Sequence, residues 1–229
     1  LPQYLEWLYD ALCSCGTRMS MCRYRSIQEN ETLWTVTECP IPQRITAENY
    51  SWMREWSGGH CWRMLTHREI LRDIRFDPAL LYGEDTLFFV MEFLKAGSLA
   101  FLNCPLYAYL ERPSSAVRQE PSLRFYTAAL AWERVWQLVK GQPEPFRSTT
   151  EQRCIMSCAE VYFRLVNQPE RDPEKEKTLL ELAKTHRRAA WKIPLEHKSQ
   201  KLQALMVSYC PHLGARVWKL VQWVKGLKN

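Results

Sequence analysis

The stretch "LLYGEDTLFFVMEFLKAG", residues 80–97, decides the fold because it holds a helix start, a long apolar run and a helix stop. Glu84 and Asp85 stand at the start, where the free amides of a first helical turn attract negative charge. Gly97 suits the stop. Apolar residues lie on nearly all sides of the helix that we predict from about Glu84 to Ala96. Such a helix must be covered on both faces, so it belongs to the core of a layered fold.

Helix and strand patterns alternate along the first half of the chain. Leu5, Leu8 and Leu12 share one face of a helix predicted over 2–15, which Gly16 ends. The other predictions up to residue 118 are a strand over 19–25, a small hairpin around 33–36, a helix over 47–56, a strand over 60–65, a helical turn behind a Thr66-x-x-Glu69 capping box, and two extended segments, 98–103 and 106–111, broken at Pro105. This alternation predicts an α/β fold.

After about residue 119 the strand patterns vanish and helical patterns replace them. We predict helices over 121–140, 149–166, 174–188, 198–207 and 213–227, the second of them behind a Ser148-x-x-Glu151 box. The charge changes at the same place. Residues 1–118 carry 12 Lys and Arg against 14 Asp and Glu, whereas residues 119–229 carry 19 against 11. The sequence therefore predicts two domains, 1–118 and 119–229, with a basic second domain suited to an anionic surface.

Composition excludes several classes of protein. Hydrophobic residues make up 46% and charged residues 24%, as in ordinary globular proteins. No apolar run approaches the roughly 20 residues that a membrane span needs, and the N-terminus lacks the pattern of a signal peptide. We therefore expect a soluble or peripheral protein of the cytoplasm. The chain starts Leu1-Pro2 without an initiator Met, so we also expect it to be a segment of something longer.

The nine cysteines do not follow a metal-binding pattern. No C-x-x-C pair occurs, the number is odd, and no secretory signal accompanies it. We predict reduced, mostly buried thiols and no metal bound by this chain.

Two interpretations of Glu84 and Asp85 follow from their place at a helix start. In the first, the two acids only stabilise that start by pairing with its free amides. In the second, one of them is a general base, held at the edge of a buried helix where Gly83 lets the backbone turn tightly. The same amides would favour the ionised form of a base, so the two interpretations are compatible.

A resemblance bears on this choice. Residues 76–118, "FDPALLYGEDTLFFVMEFLKAGSLAFLNCPLYAYLERPSSAVR", follow the segments "CWRML" and "HREIL" and end in a Tyr-x-Tyr-x-x-Arg-x-x-Ser pattern. In this order the segments resemble the C-terminal half of the catalytic domain of glycosyltransferase family 2, the inverting enzymes with a GT-A fold. The resemblance extends more loosely back to residue 1. It implies a partial GT-A domain over 1–118, followed by a helical region.

The resemblance implies a role for each matching residue. Asp85 would be the catalytic base, and Glu84 would orient it or contact the acceptor, unless Glu84 serves only the helix start. Arg112 and Ser115 would lie near the donor phosphates or on a loop that closes over them, since a guanidinium binds a diphosphate through two hydrogen bonds; the alternative is an Arg that ties two loops together. His60 and Trp62 begin the strand beside the expected site, either as sugar contacts or as structural residues. In the structural alternative Trp62 packs in the core and His60 is a hydrogen-bonded or an exposed histidine.

One departure from the family concerns the donor. Family members hold a divalent cation, Mg or Mn, on an Asp-x-Asp type motif in a preceding nucleotide-binding half, and residues 1–60 contain no such motif. In the family, an acidic pair is commonly followed at once by a segment like "LPQYLEWLYDAL", with which this chain begins. We therefore expect residue 1 to follow a missing acidic motif. The full-length enzyme would need the cation, and this segment alone is expected to bind none and to transfer no sugar.

The last predicted helix suggests a second partner. Leu213, Val217, Leu220, Val221 and Val224 share one face, with Arg216, Lys219, Lys225 and Lys228 around it and Trp218 and Trp223 at its flanks. Basic amphipathic helices with Trp suit an anionic membrane surface, here the inner face of the cell membrane. The alternative is a terminal helix packed on the domain. No recognition motif for nucleic acid accompanies the charge.

The sequence thus supports two hypotheses. The first is a glycosyltransferase that moves a sugar from a nucleotide-diphosphate donor to a glycan or lipid-linked acceptor with inversion, in the synthesis of bacterial capsule, lipopolysaccharide or other surface polysaccharide. The alternative is a noncatalytic module that binds an anionic membrane or a protein partner.

Overall fold

A computed structural model of the chain describes residues 1–54, 58–112, 125–166, 168 and 171–226. The chain forms two compact units, and each is assembled from separate segments. The first unit comprises Leu1–Asp77, Asp85–Glu120 and Gln142–Phe146, and the second comprises Pro78–Glu84, Pro121–Gly141 and Arg147–Asn229.

The first unit is a mixed α/β structure, as the sequence predicts. Its elements are α1 (Tyr4–Cys15), β1 (Met19–Ile27), β2 (Gln43–Ile45), β3 (Met64–Thr66), α2 (Arg68–Leu71), α3 (Glu84–Ala96) and β4 (Leu99–Leu110). The four strands form one sheet in the order β2-β4-β1-β3, in which β1 and β4 are parallel and the other neighbours are antiparallel. The parallel pair is joined through α2 and α3, since parallel strands need a long crossover.

Helix α1 covers one face of this sheet. Leu8 and Ala11 are buried against Cys22 of β1 and Leu102 of β4. Leu5, which the predicted face includes, is exposed instead, because the packed stripe is rotated toward Tyr4, Leu8, Ala11 and Cys15. The predicted end is confirmed: Gly16 takes the left-handed conformation, in which its amide closes the last turn.

Helix α3 has the bounds predicted from its sequence and is covered on both faces. Lys95 is its one exposed residue. On one side, an aromatic cluster forms whose rings lie 5.0–6.3 Å apart: Tyr50, Trp52, Phe89, Phe93 and Phe146. On another side, Phe88 stacks on Phe76 with ring centroids 4.1 Å apart. Gly97 ends the helix at a φ of 74°.

Several local predictions are wrong. The strand predicted over 60–65 begins only at Met64, because Cys61–Arg63 form a 3-10 turn. Residues 33–36 form no strand, and the extra strand is β2, which pairs with β4. The described part of 47–56 is a series of turns rather than a helix, because its Tyr50 and Trp52 are drawn into the aromatic cluster. Helix α2 is capped not by Thr66 but by His67, whose Nδ1 accepts a hydrogen bond from the Glu69 amide at 3.4 Å.

Strand β4 continues through Pro105, where a break is predicted. Its register with β1 passes from Cys22↔Leu102 directly to Arg23↔Pro105. The two skipped residues, Asn103 and Cys104, form a bulge. At a bulge the regular inter-strand hydrogen bonds are interrupted, so a proline, which has no N–H to donate, is tolerated there. One continuous strand therefore replaces the two predicted segments.

The described residues of the second unit are mainly helical. The predicted domain boundary at 118–119 stays a prediction. The helices of this unit are α4 (Tyr126–Val139), α5 (Phe146–Leu165), α6 (Pro173–Thr185), α7 (Arg187–Lys192), α8 (Lys198–Tyr209) and α9 (Pro211–Gly226). Two details differ from the prediction. Helix α5 begins at Phe146, so Ser148 lies inside the helix and is not its cap. The helix predicted over 174–188 is divided at His186 into α6 and α7.

The nine cysteines are all free thiols. Four of them are buried: Cys22, Cys104, Cys154 and Cys158. The prediction of mostly buried thiols therefore holds for fewer than half. Among the helices of the described residues, none combines the length and the apolar composition that a membrane span needs.

Glu92 of α3 is a buried acid whose environment makes stability depend on pH. It is almost fully buried, and its Oε2 has no hydrogen-bond partner among the described residues. Burial raises the pKa of Glu92 to about 7, although a hydrogen bond with Thr66 opposes this rise. The folded state therefore holds a proton that the unfolded state loses above its ordinary pKa of 4.5. The stability gained is present below pH 4.5 and is lost as the pH rises through about 7.

We expect the Glu92→Gln variant to lack this dependence. Relative to the wild type, its free energy of unfolding should rise by about 3 kcal/mol between pH 4.5 and pH 8, because the amide never ionises. Urea unfolding at the two pH values measures the difference. Glu29→Gln, at an exposed position, is the control. Parallel pH profiles of Glu92→Gln and wild type would show that Glu92 is already ionised in the folded protein.

Candidate functional site

Asp85 is the second residue of α3 and is half-buried. The loop before β3 packs directly against its backbone. A Cβ placed on Gly59 would lie 2.6 Å from Thr86 Cα and 3.2 Å from the Asp85 carbonyl oxygen. Cys61 Sγ lies 4.0 Å from the same oxygen. This close approach brings the segment 59–63, with His60 and Trp62, beside the start of α3.

The turn that leads into α3 is held by contacts of its own. Gly83 has a φ of 85°, and a Cβ there would lie 2.8 Å from Ala131 Cβ, so only glycine fits. The amides of Leu81 and Tyr82 donate to Thr127 Oγ1 at 3.1 and 3.0 Å. The tight turn expected at Gly83 is therefore confirmed. Glu84 follows it as the first residue of α3 and is half-buried.

Trp62 lies in an aromatic stack, by which we mean Tyr24, His60, Trp62, Tyr107 and Tyr109. His60 and Tyr109 each lie parallel to the indole with centroids 5.1 Å away, Tyr107 lies 4.6 Å away, and Tyr24 meets it edge-on at 4.9 Å. The Tyr4 hydroxyl donates to the Trp62 carbonyl at 2.9 Å. These contacts support the packing interpretation of Trp62. A sugar contact by the stack stays a prediction.

His60 is neutral in this environment. Burial, with a smaller contribution from the positive charge of Arg63, lowers the pKa of His60 to about 4. At neutral pH its imidazole can therefore donate one hydrogen bond and accept another without adding charge. This matches a ring beside a polar, uncharged ligand better than one that pairs with an anion.

Arg63 is a residue of this region that our reading of the sequence missed. Its side chain is 2% exposed, and its guanidinium donates to the Gly58 carbonyl at 2.5 Å and to the Cys22 carbonyl at 3.5 Å. It also lies 5.9 Å from the centre of the Tyr24 ring. A charged residue within "HCWRML" is a weak signal, because an arginine in such a segment is usually exposed. Here it ties Gly58 and Gly59, which we call the glycine loop, to β1.

Two of the predicted site residues, Arg112 and Ser115, are not shown close to Asp85. Arg112 lies two residues beyond β4 and is exposed. Ser115 lies outside the described residues. The roles of this pair, like those of the other site residues, stay predictions.

Among the described residues, the carboxylates near Asp85 belong to no converging group of three or more potential metal ligands. Within the described residues, one group of three or more His, Cys, Asp and Glu side chains converges, and it lies in the second unit at Glu133, Cys154 and His186. The described residues of the first unit therefore do not offer the ligand set that a donor-bound Mg or Mn would need.

Known proteins resemble this chain in structure rather than in sequence. No protein-family model matches the chain, and no curated protein sequence matches it. Two solved structures of S. aureus TarS, a glycosyltransferase, match over 92% and 93% of the chain, with TM-scores of 0.50 and 0.51 and sequence identities of 13% and 14%. The fold is glycosyltransferase-like.

Both TarS structures comprise residues 1–349, one in complex with UDP and the other in complex with UDP-GlcNAc. The chain spans 62% and 64% of their length. At this low identity the likeness shows the glycosyltransferase-like fold alone.

Proposed function

We propose that this chain is part of an inverting glycosyltransferase of family 2, which moves a sugar from a nucleotide-diphosphate donor to a glycan or lipid-linked acceptor. The observation that carries the proposal is the position of Asp85: a half-buried carboxylate at the start of a core helix, against which the glycine loop packs. The likeness to TarS, solved with UDP and UDP-GlcNAc, supports a UDP-sugar as the donor.

In the proposed reaction, Asp85 takes the proton of the acceptor hydroxyl. The hydroxyl oxygen forms a bond to the anomeric carbon of the donor sugar as the bond from that carbon to the diphosphate breaks. The electron pair leaves with the nucleoside diphosphate. A single displacement of this kind inverts the anomeric centre and needs one base. The free amides of the first turn of α3 favour the ionised carboxylate that the step requires.

The segment that packs against the start of α3 suits the acceptor rather than the donor. Its Trp62 and neutral His60 belong to the aromatic stack and offer rings and uncharged hydrogen-bonding groups, which suit a sugar alcohol. Glu84 would orient Asp85 or the acceptor, and Arg112 and Ser115 would act on the donor phosphates. A divalent cation, Mg or Mn, belongs to the proposal for the full-length enzyme only. The proposed pathway is the synthesis of a bacterial surface polysaccharide at the cytoplasmic side of the membrane.

The test is a transfer assay with the full-length protein that contains this chain. The protein is incubated with UDP-GlcNAc and other UDP-sugars, Mn²⁺ and a crude surface-glycan fraction, and release of UDP is measured with and without acceptor. Acceptor-dependent release supports the proposal. Absence of release with every donor, in a protein that is folded, would favour the noncatalytic module.

Helix α9 favours an anionic membrane as a further partner. It packs on α5 through two residues. A Cβ on Gly214 would lie 3.0 Å from Phe163 Cζ, and the ring of Trp218 lies 5.6 Å from that of Phe163. The predicted apolar face points away from this contact: Leu213, Val217 and Leu220 are 58%, 39% and 59% exposed. The side chains of Val224, Lys225 and Lys228 lie outside the described residues.

The charge of α9 matches such a surface. Residues 211–226 contain Arg216, Lys219, Lys225 and no acid. The exposed face also carries Trp223, a residue suited to the boundary between lipid head groups and acyl chains. An apolar stripe flanked by cations only is complementary to anionic lipid.

We expect the double variant Leu213→Ser/Leu220→Ser to bind anionic vesicles at least about tenfold more weakly than the wild type, because two exposed leucines no longer enter the lipid. Flotation with phosphatidylserine-containing and pure phosphatidylcholine vesicles measures the binding. The matched control is Leu202→Ser, a leucine on α8 with similar exposure. Equal flotation of wild type, double variant and a 212–229 deletion would remove the membrane from the proposal.

A further inference from the structure

A group of side chains in the second unit has the composition of a transition-metal site. Glu133 comes from α4, Cys154 and Cys158 come from α5, and His186 lies at the junction of α6 and α7. His186 is 1% exposed, and both thiols are fully buried. Three potential ligand atoms, Glu133 Oε2, Cys154 Sγ and His186 Nε2, all lie within 4.8 Å of one another.

The individual distances are close to those around a tetrahedral zinc ion. His186 Nε2 lies 2.8 Å from Glu133 Oε2, and Cys154 Sγ lies 3.6 Å from the same oxygen. Zinc bonds of about 2.0–2.3 Å place neighbouring ligand atoms of a tetrahedron roughly 3.3–3.8 Å apart. These two distances therefore depart from the zinc range by about 0.5 Å at most.

Two neighbours complete the environment. Cys158 lies one turn along α5 from Cys154 and is also fully buried. It can supply the fourth ligand. Glu151 Oε1 lies 3.5 Å from His186 Nδ1, the ring nitrogen that faces away from Glu133. A carboxylate on the second nitrogen of a ligating histidine fixes its tautomer and orients the ring, as in most protein metal sites.

We propose that Glu133, Cys154, Cys158 and His186 bind a zinc ion that joins α4, α5 and the α6–α7 junction. Thiolate and imidazole ligands select zinc over Mg²⁺, which prefers oxygen alone. The ion is distinct from the cation proposed for sugar transfer, because its ligands belong to the second unit and not to the unit that contains Asp85. Glu133 and Glu151 are partly exposed, which gives the ion an entry route.

The sequence gives no sign of this site. The ligands stand at 133, 154, 158 and 186, without a C-x-x-C or H-x-x-x-H pair. In the absence of metal, Glu133 and Glu151 raise the pKa of His186 to about 9 against the opposing effect of its burial. The rival interpretation is therefore an imidazolium bridging two carboxylates, and it predicts no affinity for metal.

Cobalt is the probe that separates the two. The full-length protein is freed of metal with a chelator and reductant, titrated with Co²⁺, and followed by absorption spectroscopy. We expect one equivalent to produce thiolate-to-cobalt charge-transfer and tetrahedral d–d bands, Zn²⁺ to displace the Co²⁺, and Zn²⁺ to raise the Tm. Absence of these bands in folded wild-type protein overturns the proposal.

Variants assign the bands to these ligands. Cys154→Ser and Glu133→Gln should each lower the affinity for Co²⁺ at least 100-fold, and Glu151→Gln should lower it about 10–100-fold by releasing His186. The control is Cys210→Ser, an exposed cysteine outside the group. Because Cys154 is buried, circular dichroism confirms that each variant is folded, and the partly exposed Glu133→Gln stands in if Cys154→Ser is not. Bands that persist in Glu133→Gln, or that disappear in Cys210→Ser, contradict the assignment.

Discussion

Replacement of Asp85 by Asn is expected to lower the rate of sugar transfer by the full-length enzyme by about 10²–10⁴, because the amide cannot take the acceptor proton. The loss should appear in kcat and in kcat/KM alike, since the proton moves only in the transition state. Acceptor-dependent release of UDP measures it. Folding should hardly change, because an acid at a helix start contributes only about 0.3–1 kcal/mol.

Two controls separate catalysis from stabilisation of the helix. Glu84→Gln removes the neighbouring carboxylate from the same helix start, and Asp73→Asn removes a surface acid that pairs with Lys95. We expect Asp73→Asn to keep the wild-type rate and Glu84→Gln to lose much less than Asp85→Asn. If Asp85→Asn keeps its rate within a few-fold, the proposed base is wrong and the helix-start interpretation is sufficient.

Gly59→Ala is expected to damage both stability and transfer. The added Cβ would lie 2.6 Å from Thr86 Cα, which is backbone and cannot swing aside. Either the loop or the start of α3 must move. Overpacking of this kind costs typically about 1–3 kcal/mol, and a displacement of about 1 Å at a reacting group can cost about 10² in rate. Urea unfolding and the UDP-release assay measure the two effects.

The chain contains a matched control for this substitution. A Cβ on Gly141 would meet no atom within 4 Å, and Gly141 does not have a positive φ. Gly141→Ala should therefore leave the free energy of unfolding unchanged or raise it by up to about 1 kcal/mol. If Gly59→Ala and Gly141→Ala behave alike, the contact of the glycine loop with α3 is looser than the distances indicate.

Elements that carry their own start and stop are predictable from the sequence. Helices α1 and α3 combine an apolar periodicity with a terminal glycine, Gly16 and Gly97, and both have nearly the predicted bounds. Local patterns fail where distant residues decide the conformation. Tyr50 and Trp52 lie in turns because their rings pack against Phe89, Phe93 and Phe146. The helical pattern over 47–56 contains no information about those distant partners.

The candidate site likewise has one part that local sequence predicts and another part that it does not. The position of Asp85 at the start of α3 follows from a local signal. The close contact of Gly59 with Thr86, the neutral His60 and the buried Arg63 depend on chain segments that meet only in the folded protein. The proposed zinc ligands at 133, 154, 158 and 186 are the least predictable residues, because their spacing along the chain does not indicate that they come together.

The placement of Phe146 has a consequence for the order in which the protein is made and folded. Its ring lies 5.2 Å from that of Tyr50 and 5.4 Å from that of Phe93, so it completes the aromatic cluster beside α3. During synthesis on the ribosome, therefore, the aromatic cluster cannot be completed before residues beyond α4 have been made. A truncated product that stops at residue 118 would emerge with a ring-sized void in its interior and would be a poor candidate for separate expression.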